Sequence, residues 1–217
     1  MTDNNTTQRN LPRQERSLER VKQIIDSAAA LFDEIGIANA TPSDIAKASG
    51  LTRTSLYRYF PNKASIIRAL AERHLQALQL RFSAVPNDLP LEERIELVIE
   101  TYAEFYRKEP GYMAVWSGVD SLPELKSIDQ SALDFHSAVI QKQMTSIVSD
   151  DISSEQIKMI SVILPRTVGS ILRLAVQEPE SADKYVREAK VLATVYLTHY
   201  AHLTGYDFKI NSSSSSE

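Results

Sequence analysis

Cysteine is absent from the 217 residues, which excludes disulfides, thiol nucleophiles and thiolate metal sites. Six glycines and nine prolines are too few for a loop-rich β architecture. No glycine-rich phosphate cradle and no Gly-x-Ser-x-Gly elbow occurs. Unbroken apolar runs stay well short of the ~18 residues of a membrane span, and the polar N-terminus lacks the apolar core of a secretory signal. The four histidines offer no metal site: His199 and His202 stand three apart with no carboxylate beside them. No Glu lies three residues before any His, so paired Glu-x-x-His iron sites are excluded too. His74 falls on an apolar helix face and reads as packing. The expectation is a soluble, cytoplasmic protein with no membrane partner, no cofactor, no metal and no enzymatic activity.

What is present is an uneven charge. Residues 1–85 hold 12 Lys and Arg against 8 Asp and Glu, whereas residues 86–217 hold 12 against 20. Between Asp44 and Glu72 lie Lys47, Arg53, Arg58, Lys63 and Arg68, with no acid among them. A basic block in an otherwise acidic chain points to an anionic partner at one end.

The apolar period is helical almost throughout, and no strand alternation is visible. Leu18, Val21, Ile25, Ala28 and Phe32 give a first helix one apolar face, ended at Gly36. Thr41-Pro42 opens a second, Gly50 stops it, and Thr52 caps a third. A fourth follows Pro61-Asn62 and runs toward Val85. Beyond Pro86 and Pro90 come a helix from Leu91, ended by Glu109-Pro110-Gly111, and a short aromatic segment, Tyr112 to Trp116. A long helix from Leu125 to Val148 follows. Ser153 with Gln156 forms a capping box for the next, with a kink expected at Pro165. Ser181 opens the last. The reading is all-α with about nine helices. Residues 1–14 and 211–217 are expected to be disordered tails.

Residues 41–60, TPSDIAKASGLTRTSLYRYF, read as two short helices joined by a tight turn at Ser49-Gly50-Leu51. That is the helix-turn-helix plan, whose second helix enters the DNA major groove. Arg53, Thr54, Tyr57 and Arg58 share one face of that helix, while Leu56, Tyr59 and Phe60 turn largely the other way. Arginine reads guanine edges with two hydrogen bonds, so Arg53 and Arg58 are the candidates for base readout. Thr41, Ser43 and Thr52 stand at helix N-termini, where free N–H groups favour a phosphate. Together with Tyr57 and Lys63, Thr41 and Thr52 are expected to hold phosphates.

The stretch ATPSDIAKASGLTRTSLYRYFPNKASIIRAL resembles the DNA-binding domain of the tetracycline-repressor family. The matching marks are Thr41, Ile45-Ala46, Gly50, Leu56-Tyr57, Tyr59-Phe60 and Lys63, within about residues 16–76. The resemblance implies DNA contacts by Thr41, Ser43, Thr52, Arg53, Thr54, Tyr57, Arg58, Tyr59 and Lys63. It also implies a homodimeric regulator, usually a repressor, released from a pseudo-palindromic double-stranded operator by a small molecule. Thr54 departs from the pattern, because a small residue commonly follows the basic one. On this reading 15–84 form a three-helix DNA-binding domain and 85–210 a helical effector-binding and dimerisation domain.

In the second region, Val186, Ala189, Ala193, Tyr196, Tyr200 and Leu203 form an apolar stripe, widened by Leu192 and Leu197. With the apolar stretch 162–176, it suits a four-helix dimer interface. Candidates for a largely apolar effector pocket are Tyr102, Phe105, Tyr106, Tyr112, Met113, Trp116, Phe135, His136, Met144 and Arg166. His136 and Arg166 interrupt apolar stretches, so each needs a partner, either on a ligand or an acid such as Glu104. Two other readings stay open: a constitutive or activating regulator without an effector, and a helical interaction or ligand-carrier module.

Overall fold

The computed structural model describes residues 13–86, 88–117, 125–147 and 152–203. Among them nine α-helices form and no strand does: α1 (Arg13–Asn39), α2 (Pro42–Ala48), α3 (Arg53–Tyr57), α4 (Lys63–Ser83), α5 (Leu91–Lys108), α6 (Tyr112–Trp116), α7 (Lys126–Ile147), α8 (Ser154–Gln177) and α9 (Ala182–Leu203), with a 3-10 turn at Pro179–Ser181. The all-α expectation holds. The expected tails lie outside the described residues, except that residues 13 and 14 open α1.

Two compact units divide the chain: residues 1–74 with 110–125, and residues 75–109 with 126–217. The division differs from a boundary at 84/85. α4 gives residues 63–74 to the first unit and 75–83 to the second, and the α6 segment belongs to the first.

The first unit is built around Ile24, Ala28 and Phe32 of α1, Ile45 of α2, Leu56 of α3, and Ile66 and Leu70 of α4, all essentially sealed from solvent. Burying one such large side chain contributes about 1.5–3 kcal/mol. That stabilisation lets α2 and α3 exist as helices of 7 and 5 residues, far shorter than the ~12–15 an isolated helix needs. Burial on α1 begins only at Ile24; Leu18, expected on its apolar face, is 63% exposed. Gly36 breaks α1 at φ 78°, ψ 155°, a conformation essentially restricted to glycine.

The turn before α6 is locked into the same unit. Gly111, at φ 73°, donates its N–H to Asp33 Oδ2 at 2.7 Å. A Cβ on Gly111 would stand 2.9 Å from Leu70 Cδ2 and 3.1 Å from the Ala29 backbone. Next to it, His74 Nε2 lies 2.9 Å from the Pro110 carbonyl, and Trp116 Nε1 donates to His74 Nδ1 at 3.2 Å. The imidazole therefore carries its proton on Nε2. Burial holds its pKa down at about 4, only partly opposed by the Pro110 bond, and the charge of Arg73 lowers it further.

In the second unit α8 packs against α9, α7 and α5, and α5 also packs on α9. Ile160, Leu164, Leu172 and Ala175 of α8 meet a core that includes Ile95, Ile99 and Phe105 of α5 and Val186, Ala189, Ala193 and Leu197 of α9. α8 runs through Pro165 as one helix, capped by the Ser153–Gln156 box. By length and composition alone α8 could cross a membrane. Ser161, Arg166, Thr167 and Ser170 interrupt it, which is why no unbroken apolar run betrays it in the sequence.

Candidate nucleic-acid interface

α2 and α3 are set by caps that the local sequence specifies. Thr41 Oγ1 accepts from the Asp44 N–H at 3.2 Å, and Asp44 Oδ2 accepts from the Thr41 N–H at 3.0 Å and its hydroxyl at 2.5 Å. These bonds from Thr41 hold the Asp44 carboxyl below the usual carboxylate range. The box occupies Thr41, while Ser43 stays exposed beside it.

The turn between the helices is a Schellman closure. Leu51 N–H donates to the Ala46 carbonyl at 2.8 Å and Gly50 N–H to that of Lys47 at 3.1 Å, with Gly50 at φ 65°. The buried Ser49 hydroxyl donates to the Ile45 carbonyl at 2.7 Å, so it is not stranded inside the turn. Thr52 then caps α3, its Oγ1 accepting from the Ser55 N–H at 3.2 Å.

The rigid turn aims one face of α3 outward. Leu56 and Phe60 pack inward, while Thr52, Arg53, Thr54, Tyr57, Arg58 and Tyr59 are exposed. Tyr59, placed largely with the inner residues by its helical position, is 37% exposed, much like Tyr57 at 38%. α3 ends at Tyr57, which frees the backbone at Tyr59 from the helical wheel. Arg53 lies along Tyr57: its Nε and Nη2 donate to the phenol oxygen at 3.2 and 3.1 Å, and its guanidinium sits 5.4 Å from the ring centroid.

Lys63 is directed elsewhere. Its half-buried ammonium donates to the Ile37 carbonyl at 2.8 Å and the Ala40 carbonyl at 3.0 Å. Three contributors to this unit escaped the sequence reading: Asp44, Asp33 and the Asn62–Ser65 pair. In that pair Asn62 Oδ1 accepts from the Ser65 N–H at 2.8 Å and caps α4. The Thr-x-x-Asp and Asn-x-x-Ser spacings were available signals for the two caps; Asp33 had none.

The expected effector residues divide between the units. Tyr112, Trp116 and the half-buried Met113 belong to the first, where Tyr112 and Trp116 pack around His74. In the second, Tyr102 meets His136 with ring centroids 5.5 Å apart, Tyr106 at 6.4 Å and Phe82 at 6.0 Å, and Phe135 lies 5.5 Å from His136. Gly169 leaves room for the Tyr106 hydroxyl, which would stand 3.2 Å from a Cβ there. Phe105 is fully buried under the Arg81 guanidinium, 4.5 Å from its ring centroid. The His136 Nε2 is sealed from solvent and has no hydrogen-bond partner. Burial lowers the His136 pKa to about 4 and raises that of Tyr102, so both stay uncharged at neutral pH. Arg166 is not with them: it is exposed and paired with Asp129 at 2.8 Å. Glu104 is likewise exposed and paired with Lys108 at 2.6 Å. The Met144 side chain lies outside the described residues.

A short capped helix, a Schellman turn and a second helix with an outward basic face define a helix-turn-helix DNA-binding protein. The family model described as "Bacterial regulatory proteins, tetR family" matches residues 24–70, and "Tetracyclin repressor-like, C-terminal domain" matches residues 89–201. The chain belongs to the tetracycline-repressor family of DNA-binding transcriptional regulators. It is 31% identical over 101 residues to the nucleoid occlusion factor SlmA of Glaesserella parasuis, covering 46% of this chain and 50% of that one. The Haemophilus influenzae counterpart is 35% identical over 89 residues, covering 41% of each. The alignments thus span half or less of these relatives. In fold it matches a TetR-family transcriptional regulator from Streptomyces coelicolor, at TM-score 0.65 and 22% identity, covering 85% of this chain and 98% of that one. Salmonella enterica GusR matches at TM-score 0.66 and 17% identity, covering 83% and 96%.

Proposed function

We propose that the protein is a homodimeric, sequence-specific repressor that binds a pseudo-palindromic operator and is released by a small, largely apolar effector. The observation that carries the DNA part is the exposed face of α3, where two arginines, a threonine and a phenol stand together beyond a rigid turn. In this reading Arg53 and Arg58 read base edges, Thr54 lies against them, and Thr41, Ser43, Thr52, Tyr57 and Tyr59 engage phosphates. The curated relatives carry a nucleoid name, and the shared hundred residues support DNA binding here rather than any particular role in the cell.

Dimerisation is supported by a second apolar stripe. The stripe expected on α9 is mostly turned inward, with Val186, Ala189, Ala193 and Leu197 buried. Outward stand Val191 and Val195 on α9, 50% and 63% exposed, and Met159, Ile163 and Leu174 on α8. These α8 positions share one helix face. A two-fold copy of this pair would bury the stripe against itself.

A mobility-shift titration across salt concentrations tests the proposal. Operator affinity should fall log-linearly with salt, because the exposed cations Lys47, Arg53 and Arg58 displace phosphate counterions as α2 and α3 dock, at a slope of about −0.9 for each phosphate neutralised. Val195→Glu should yield monomers in analytical ultracentrifugation and weaken operator binding roughly 100-fold or more, as two tethered half-site contacts become one. Salt-independent binding, or full affinity from a monomer, contradicts it.

The effector is uncharged in this reading. The ring cluster around His136 offers a neutral imidazole with an unpartnered nitrogen, whereas Arg166 is already paired with Asp129. An uncharged aromatic ligand with one hydrogen-bonding group suits those partners. α4, whose residues divide between the units, is the lever by which the ligand acts on α3. A tenfold loss of operator affinity needs about 1.4 kcal/mol of coupling, and the operator must weaken ligand binding by the same factor. Equal ligand affinity with and without operator would exclude that ligand as the effector.

A further inference from the structure

Lysine at the first residue of α4 is an electrostatic oddity, because a helix N-terminus is its positive end. The far end of α1 presents the opposite problem: its last turn carries no basic residue, and terminal carbonyls there need donors. Three donors reach carbonyls at this end. Asn39 Nδ2 serves the Ile35 carbonyl at 2.8 Å, and the Ala40 N–H serves Gly36 at 3.2 Å. Lys63 Nζ serves Ile37 and Ala40, across 26 and 23 residues of sequence. Ala40 immediately precedes Thr41, the cap of α2. The glycine break at Gly36 and the short segment after it are thus held from α4.

We propose that Lys63 is a positioning residue: it clasps the α1–α2 connection and thereby fixes Thr41 and the start of α2 for DNA, instead of acting chiefly as a phosphate ligand. The inference rests on the DNA-binding reading of α2 and α3 for its consequence, though the clasp itself is a property of the DNA-free protein. Two of the three ammonium N–H groups are already committed to carbonyls in the absence of DNA. A residue acting this way changes where neutral contacts sit, and so alters affinity without altering the number of counterions released.

The test compares wild type, Lys63→Met and Lys63→Arg on a random-sequence 30-base-pair duplex and on any duplex the wild type selects. Lys63→Met should weaken binding several-fold at every salt concentration, with the slope of log affinity against log salt unchanged. In DNA-free protein, its amide resonances over residues 37–45 should shift, and exchange of the Asp44 and Ile45 amides should quicken at least tenfold. Lys63→Arg should recover part of both. Should Lys63→Met not fold, the wild type alone decides: the 15N-detected Lys63 ammonium signal should be protected in free protein and move little when DNA is added. A slope reduced by about 0.9 with unmoved amides, or an ammonium signal protected only with DNA, would overturn the proposal and leave a phosphate contact. If wild type binds neither duplex, the DNA reading fails, while the amide shifts still decide the clasp.

Discussion

Replacing Arg53 and Arg58 together by Ala should cost operator affinity a hundredfold or more while weakening random-sequence binding far less. Each arginine that reads a base edge contributes about 1–3 kcal/mol of discrimination, or roughly 5–150-fold. Arg58 should be the more sensitive of the two when changed singly. Arg53 must first surrender its bonds to the Tyr57 hydroxyl, at 3.1 and 3.2 Å, so part of its contribution is spent on that exchange. Competition titrations at one fixed salt concentration separate the terms. An equal loss on operator and random duplex would make both arginines phosphate contacts and remove the basis for base readout.

The second large effect concerns folding. Gly111→Ala should destabilise the first unit by about 2–4 kcal/mol, combining a left-handed backbone with overpacking. The added methyl would meet Leu70 Cδ2 at 2.9 Å and the Ala29 backbone at 3.1 Å. The side chain can swing away, but a helix backbone held between Ala28 and Phe32 cannot shift cheaply. Denaturant unfolding followed by Trp116 fluorescence, in the same unit, checks this directly. Gly50→Ala makes the control: it also carries a positive φ but nothing lies within 4 Å of its Cβ. It should cost only the backbone part, about 1 kcal/mol. Equal losses at the two glycines would mean that the packing around Gly111 gives way and its close approach is unimportant.

These two glycines also illustrate what a sequence can state. Gly50, Thr41, Thr52 and the Ser153–Gln156 box were legible because caps and turns are chemistry within five residues. The outward face of α3 followed from helical spacing alone. Gly111 was legible as a helix stop, yet its contact with α1 was not, because Asp33 lies 78 residues away. The same distance hides the partners of Lys63, the Trp116–His74 bond and the Arg166–Asp129 pair, which span 23 to 42 residues. A cation's charge can be read from sequence; which carbonyl or acid receives it depends on how helices pack. Hence Lys63 reads as a phosphate ligand and Arg166 as a ligand contact, and nothing in the sequence shows that Lys63 also meets two carbonyls and Arg166 an aspartate. Periodicity also overextends: Leu18 keeps the α1 register but lies before the turns that other helices cover. On α9 the periodic stripe found the inner face, while among the described residues the outer one is marked by Val191 and Val195.

The central claim is that α3 of a two-fold dimer reads a defined DNA sequence. Selection from a pool of random duplexes, using the full-length protein, tests it most directly. Wild type should enrich a pseudo-palindrome whose half-sites lie about one helical turn, ~34–36 Å, apart or a multiple of that. The same selection with Arg53 and Arg58 both changed to Ala should lose that motif. Enrichment of no motif by wild type, or of an identical motif by the double variant, would contradict the account.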